Sequence, residues 1–280
     1  MPTYTDASGL VFTYYVWPVD APKAVIQIAH GVGEHAQRYA ALAADLNQAG
    51  YAVYADDHLG HGQTGLDQHG GDRALLGRLG VGGLRAAVAG VHQLSGIIRS
   101  QHENLPLVLL GHSWGSFMVQ MIVNAHAAEY DAIVLSGSAY RWPGYLDGGD
   151  LNRKHKTLGS TGVEWLSRDP AVAAAFVADP LTTATPLAKL FGVREAARMF
   201  GRPARDLPSE LPLLVLVGGD DTVGGERSAL KLVNAYIKRS GLRDVQLIVY
   251  PGARHEVFNE TNRDEVIGDL VAWLDERFKP

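Results

Sequence analysis

The chain has no cysteine among its 280 residues. Disulfides, thiolate metal sites and cysteine nucleophiles are thereby excluded, and the absence fits the cytoplasm, the location we expect. Basic residues are not in excess either: 25 Lys and Arg stand against 30 Asp and Glu, a net charge of -5. Nothing is left over to neutralise a phosphate backbone, so no nucleic-acid partner is expected. No apolar run reaches the ~18 residues a membrane-spanning helix needs. The opening "MPTYTDASGLVFTYYVW" lacks the basic segment and apolar core of a secretory signal. Internal repeats and low-complexity tracts are also missing.

What is present is an alternation. Short apolar runs at 11–17, 24–30, 51–57, 107–113, 132–137, 213–219 and 245–251 read as strands, most of them apolar at nearly every position. Helical patterns fall between them, at 84–99, 114–128, 226–239 and 264–278, and in "RYAALAADLNQAG". Strands alternating with helices predict an α/β fold with a mostly parallel sheet covered on both faces. One connection is too long for the pattern. Between 137 and 211 no strand is legible, but "AVAAAFVA" and "LAKLFGVREAARMFG" are helical. We expect core residues 1–138 and 209–280, with 139–208 inserted as a helical cap over the ligand-binding edge of the sheet.

The stretch "LVLLGHSWGSFMVQ" places Ser113 between Gly111 and Gly115, after an apolar strand and before an apolar helix. G-x-S-x-G in that setting is a nucleophile elbow, where side chains at the flanking positions would collide with the neighbouring strand or helix. A serine hydroxyl needs a base, and the base an orienting acid. On such a sheet the order is serine, acid, histidine. "LLVLVGGDDTVGG" ends a strand on Asp220 and Asp221, and spacing does not choose between them. "VQLIVYPGARHEVFNE" puts His255 just past the last strand. Two backbone N–H groups must hold the oxyanion. Trp114, after the nucleophile, supplies one, and "IAHGVGEH" makes Val32 the second donor.

Four stretches, "HGVGEHAQRY" (30–39), "DDHLGHGQT" (56–64), "GHSWG" and "GARHEVFNE" (252–260), resemble the monoacylglycerol lipase and lysophospholipase branch of the α/β-hydrolases. "LSRDPAVAAAFVADPL" (166–181) resembles its cap. The resemblance covers nearly the whole chain in order. It implies an α/β-hydrolase fold and a cofactor-free serine hydrolase of monoacylglycerols, lysophospholipids or small esters. It also implies the acid at the D of G-x-x-D, which falls on Asp221 when Gly218 is the G. Many lipases of the branch carry methionine where this chain has Trp114, whose ring would narrow the acyl pocket. The resemblance makes "DDHLGHG" a structural loop rather than a metal site. Glu34, His35 and Arg38 are expected to brace the oxyanion loop, and His112 to pack on the opposite side of the turn.

From residue 140 to 206 there are ten Lys and Arg against seven Asp and Glu, a positive bias over an acidic body. One reading is a solvated surface. The other is that cap Arg or Lys receives an anionic group on the substrate, as in a monoalkyl phthalate or a lysophospholipid. An acyltransferase or a non-catalytic receptor on the same fold are the remaining alternatives. The expected partner is in every case a small molecule, an ester for the enzyme readings.

Overall fold

The computed structural model describes residues 1–279. Its eight strands are β1 (Thr3–Thr5), β2 (Val11–Trp17), β3 (Ala24–Ala29), β4 (Tyr51–Asp56), β5 (Leu107–His112), β6 (Ala132–Ser136), β7 (Leu213–Gly218) and β8 (Val245–Tyr250). They form one sheet in the order β1-β2-β4-β3-β5-β6-β7-β8. β1 and β2 pair antiparallel, as do β2 and β4, and every other pairing is parallel.

The continuous apolar runs follow from this layering. In β5, Leu107 and Leu109 point into one core while Val108 and Leu110 point into the other. β7 does the same with Val215 and Val217 against Leu214 and Leu216. A strand covered on both faces has no position free for a polar residue. Helices α1 (Ala40–Gln48) and α8 (Arg263–Arg277) cover one face through Leu42, Leu46, Leu270 and Trp273. Helices α3 (Gly83–Gln101), α4 (Trp114–His126) and α7 (Gly225–Ala235) cover the other, while the short α2 (Gly62–Gln68) lies beside β2.

Strand runs expected to reach 30, 57, 113, 137, 219 and 251 each end one residue earlier. Of the residues just past these ends, His30, Asp57, Ser113 and Gly137 are buried, whereas Gly219 and Pro251 are exposed. β1 and α2 were not legible: β1 is only three residues long, and α2, "GQTGLDQ", carries two glycines. Between β6 and β7 the only helices among the described residues are α5 (Pro170–Ala178) and α6 (Leu187–Ala197). The longer helix expected from "LAKLFGVREAARMFG" is interrupted at Gly192, whose φ of 76° and ψ of 162° are not helical. Val163, Leu166, Ala173 and Phe176 give this segment a small core of its own.

Candidate active site

Ser113 occupies the turn between β5 and α4 with φ 52° and ψ −124°. A non-glycine residue there is strained, and the surroundings hold it in place. The Ser113 N–H donates to Ser136 O at 2.9 Å. A Cβ on Gly115 would stand 2.1 Å from Ala29 O, and one on Gly111 would stand 2.7 Å from Ser116 Cα. Both flanking glycines therefore let strand and helix close on the serine.

The two aspartates separate clearly. Asp220 is exposed, whereas Asp221 is buried. Asp221 Oδ1 accepts from Val223 N–H at 2.8 Å and lies 3.0 Å from His255 Nδ1. The imidazole donates at Nδ1, which leaves a lone pair on Nε2, and that atom is buried without a partner among the described residues. Burial pushes the His255 imidazole down, but the charge and hydrogen bond of Asp221 outweigh it and leave it above its ordinary value of 6.5. Ser113, His255, Val32 and Trp114 all line one cavity of about 440 Å³.

Val32 N–H and Trp114 N–H have no hydrogen-bond acceptor among the described residues, while the neighbouring Gly31 N–H donates to Glu34 Oε1 at 2.6 Å. Glu34 also accepts from Tyr39 OH at 2.7 Å and pairs with Arg38. Arg38 reaches across to Glu256 with two hydrogen bonds of 2.7 and 2.9 Å. One guanidinium thus ties the Val32 loop to the residue after His255. Burial favours a neutral Glu256, but Arg38 overrides it and holds the carboxyl at about 2. Sequence reasoning missed Glu256, although it follows His255 directly. It misplaced His35, which pairs with Asp179 of the β6–β7 segment at 2.8 Å rather than joining the brace.

His112 also departs from expectation. Its ring lies 4.8 Å from that of His255 and lines the cavity, with Nδ1 3.2 Å from Ser136 Oγ. Burial, then the charge of His255, push it down to about 4, so it stays neutral. Trp114 is fully buried against His58, His61 and Phe191. In "DDHLGHG", Asp56 Oδ1, His58 Nε2 and His61 Nε2 are buried without a hydrogen-bond partner among the described residues, while other polar groups of the stretch are engaged within the protein. Asp57 accepts from Ala36 N–H, Gln63 N–H and Tyr15 OH. His58 N–H donates to His30 Nε2.

The β6–β7 segment closes over these loops. Thr183 N–H donates to Gly33 O at 2.8 Å, and Glu256 N–H to Leu166 O at 2.7 Å. Gly33 has φ +74°, and a Cβ there would meet Thr183 O at 2.3 Å. The Trp165 ring lies 4.8 Å from that of His255. Phe117, Leu151, Val163, Phe176, Met199 and Phe200 give the cavity its apolar wall. Of the two readings of the positive bias, the cationic receiver finds no support in the lining: no Arg or Lys is among the described residues that form it. Among the described residues, the charged side chains of the lining are Glu34, Asp147, Asp150 and Glu256. Four of the ten cations in 140–206 are engaged elsewhere: Arg141 with Gln120 and Met199 O, Arg168 with Glu260, Arg198 with Glu195, and Arg202 over the Trp142 ring.

A parallel sheet with a strained serine after its central strand, and an Asp–His pair after later strands, defines an α/β-hydrolase. Residues 20–262 match the family model described as "Serine aminopeptidase, S33", and the chain belongs to that family. It is 35% identical to a monoacylglycerol lipase of Mycolicibacterium smegmatis, covering 97% of this chain and 95% of the relative. It is 28% identical to a monoglyceride lipase of Mus musculus, covering 99% and 91%. A carboxyl esterase structure from Bacillus coagulans shares the fold, with a TM-score of 0.86, 24% identity, and 99% and 98% coverage. No described helix is long and apolar enough to cross a membrane.

Proposed function

We infer that this carboxylic-ester hydrolase cleaves monoacylglycerol-like monoesters through an acyl-serine intermediate. Family membership carries the coarse class, and the finer reading rests on the buried Asp221–His255 pair, whose imidazole lines the same cavity as Ser113. His255 Nε2 takes the proton from Ser113 Oγ as that oxygen attacks the ester carbonyl. Val32 and Trp114 N–H groups receive the oxyanion, each worth about 3–4 kcal/mol of transition-state stabilisation. His255 then protonates the leaving alcohol, and next activates the water that releases the acid. Asp221 keeps the imidazole in the Nδ1–H tautomer and stabilises its charged form. We read residues 139–208 as the cap, which supplies most of the acyl-chain wall.

An apolar wall with acidic side chains and no lining Arg or Lys favours a neutral monoester over an anionic one. The names of the curated relatives, monoacylglycerol and monoglyceride lipase, point the same way. The test is the initial rate on p-nitrophenyl butyrate for the wild type beside Ser113→Ala, then on a monoacylglycerol, a monoalkyl phthalate and a lysophospholipid. We expect the variant to lose nearly all turnover, and the monoacylglycerol to give the highest kcat/KM of the three. Equal rates for wild type and variant would sink the acyl-serine reading, and a preference for the anionic esters would sink the substrate assignment.

A further inference from the structure

A second cluster of chemistry-bearing side chains lies away from the cavity. His126 closes α4, the helix that opens at Trp114, so it stands roughly 18 Å from the Ser113 turn. Glu129 follows in the turn after that helix, and His92 projects from α3 beside it. His92 Nε2 lies 2.7 Å from Glu129 Oε2, and His126 Nδ1 lies 2.8 Å from Glu129 Oε1. The two imidazole rings are stacked with centroids 3.8 Å apart. One ligand atom from each of the three residues can be chosen so that all lie within 4.8 Å of one another. Side-chain exposures of 28%, 40% and 47% leave the group open to solvent.

We propose that His92, His126 and Glu129 form a site for one zinc-class divalent cation. Two imidazole nitrogens with one carboxylate oxygen suit zinc, nickel or copper, whereas calcium and magnesium ask for oxygen ligands throughout. The turn that carries Glu129 is already pinned. Arg99 of α3 donates to Glu129 O at 2.7 Å and to Asp131 Oδ2 at 2.7 Å. Arg99 therefore engages the backbone and the neighbouring aspartate, and leaves the Glu129 carboxylate to the histidines. On coordination each neutral imidazole turns a lone pair to the metal and carries its proton on its other nitrogen. An imidazolium first releases one proton to water. Water completes the coordination. The bound cation joins α3 to the far end of the helix that begins at the nucleophile.

Titration of the untagged protein with zinc chloride by calorimetry tests this. We expect one zinc per chain, with binding weakened roughly tenfold or more by either His92→Ala or His126→Ala. Glu129→Gln keeps the hydrogen-bonding capacity but removes the charge, and also weakens binding. His69→Ala leaves the isotherm unchanged, and magnesium gives no comparable heat. Zinc raises the melting temperature of the wild type but not of His126→Ala, while ester hydrolysis by His126→Ala stays at the wild-type rate. Should His92→Ala fold poorly, His92→Asn serves in its place. An isotherm insensitive to all three substitutions, no zinc uptake, or an equal response to magnesium would overturn the proposal.

Discussion

Two regions meet at the cavity and are built in opposite ways. The loops at the sheet edge are short, and their key groups are fixed by several contacts each. Ser113 is held by backbone hydrogen bonds and two glycine contacts, and His255 by Asp221, His112 and Trp165. The β6–β7 segment has two helices of 9 and 11 residues, one of them kinked, and a small core of four buried residues. It is tied to the edge loops by hydrogen bonds spread along its length, among them Thr183 N–H to Gly33 O, Arg168 to Glu260, and Arg254 to Glu164 O and Ser167 O. The chemistry we propose sits on the edge loops, and most of the cavity's apolar wall sits on the β6–β7 segment. Turnover should therefore be sensitive to single atoms at the edge, and substrate choice to bulk in the segment.

The largest expected contrast is between adjacent residues. Asp221→Asn should lower kcat/KM by about 10⁴-fold, because the amide no longer selects the Nδ1–H tautomer. Asp220→Asn, on an exposed side chain, should stay within about twofold. Steady-state rates on one chromogenic ester decide it, and equal losses would break the assignment. The pH profile comes next. His255 must be neutral to act as a base, and its pKa lies above 6.5. Activity should therefore rise with pH through that value, falling roughly tenfold per unit below it.

Arg38→Met removes the cation between two buried carboxylates and should cost about 3–5 kcal/mol of stability. Chemical denaturation reads this directly. A loss below about 1 kcal/mol would show that the edge loops do not depend on the brace. The smallest effect should come from the segment. Val193 is 84% exposed at the cavity rim, so Val193→Ser should change KM for a medium-chain ester by only a few-fold and leave kcat unchanged. A loss confined to kcat would mean that the segment takes part in the chemistry.

The edge was largely legible in the sequence because local rules govern it. An apolar run, a glycine-flanked serine and a late histidine are each read within about ten residues. Burial distinguishes Asp221 from Asp220, which spacing does not. What escaped depends on distant partners. Arg38 meets Glu256 across 218 positions, and His35 meets Asp179 across 144. No local pattern reports such pairs. The positive bias of the 140–206 stretch left two readings open for a related reason: composition counts cations, but only geometry shows that Arg141 and Arg168 point to protein acceptors rather than into the cavity.

The order of the site along the chain has a consequence for synthesis. Ser113 is translated near the middle, but the base we assign, His255, and its neighbour Glu256 come after β8, the last strand at the sheet edge. A chain made through Val245 holds Ser113, Val32, Trp114 and Asp221, but not the base we assign. On our assignment, hydrolysis waits for the stretch after β8 to emerge and dock. A chain cut at Val245 would lack the base we assign and also α8, whose Val266, Leu270 and Trp273 help build one face's core, so we expect it neither to fold nor to hydrolyse esters.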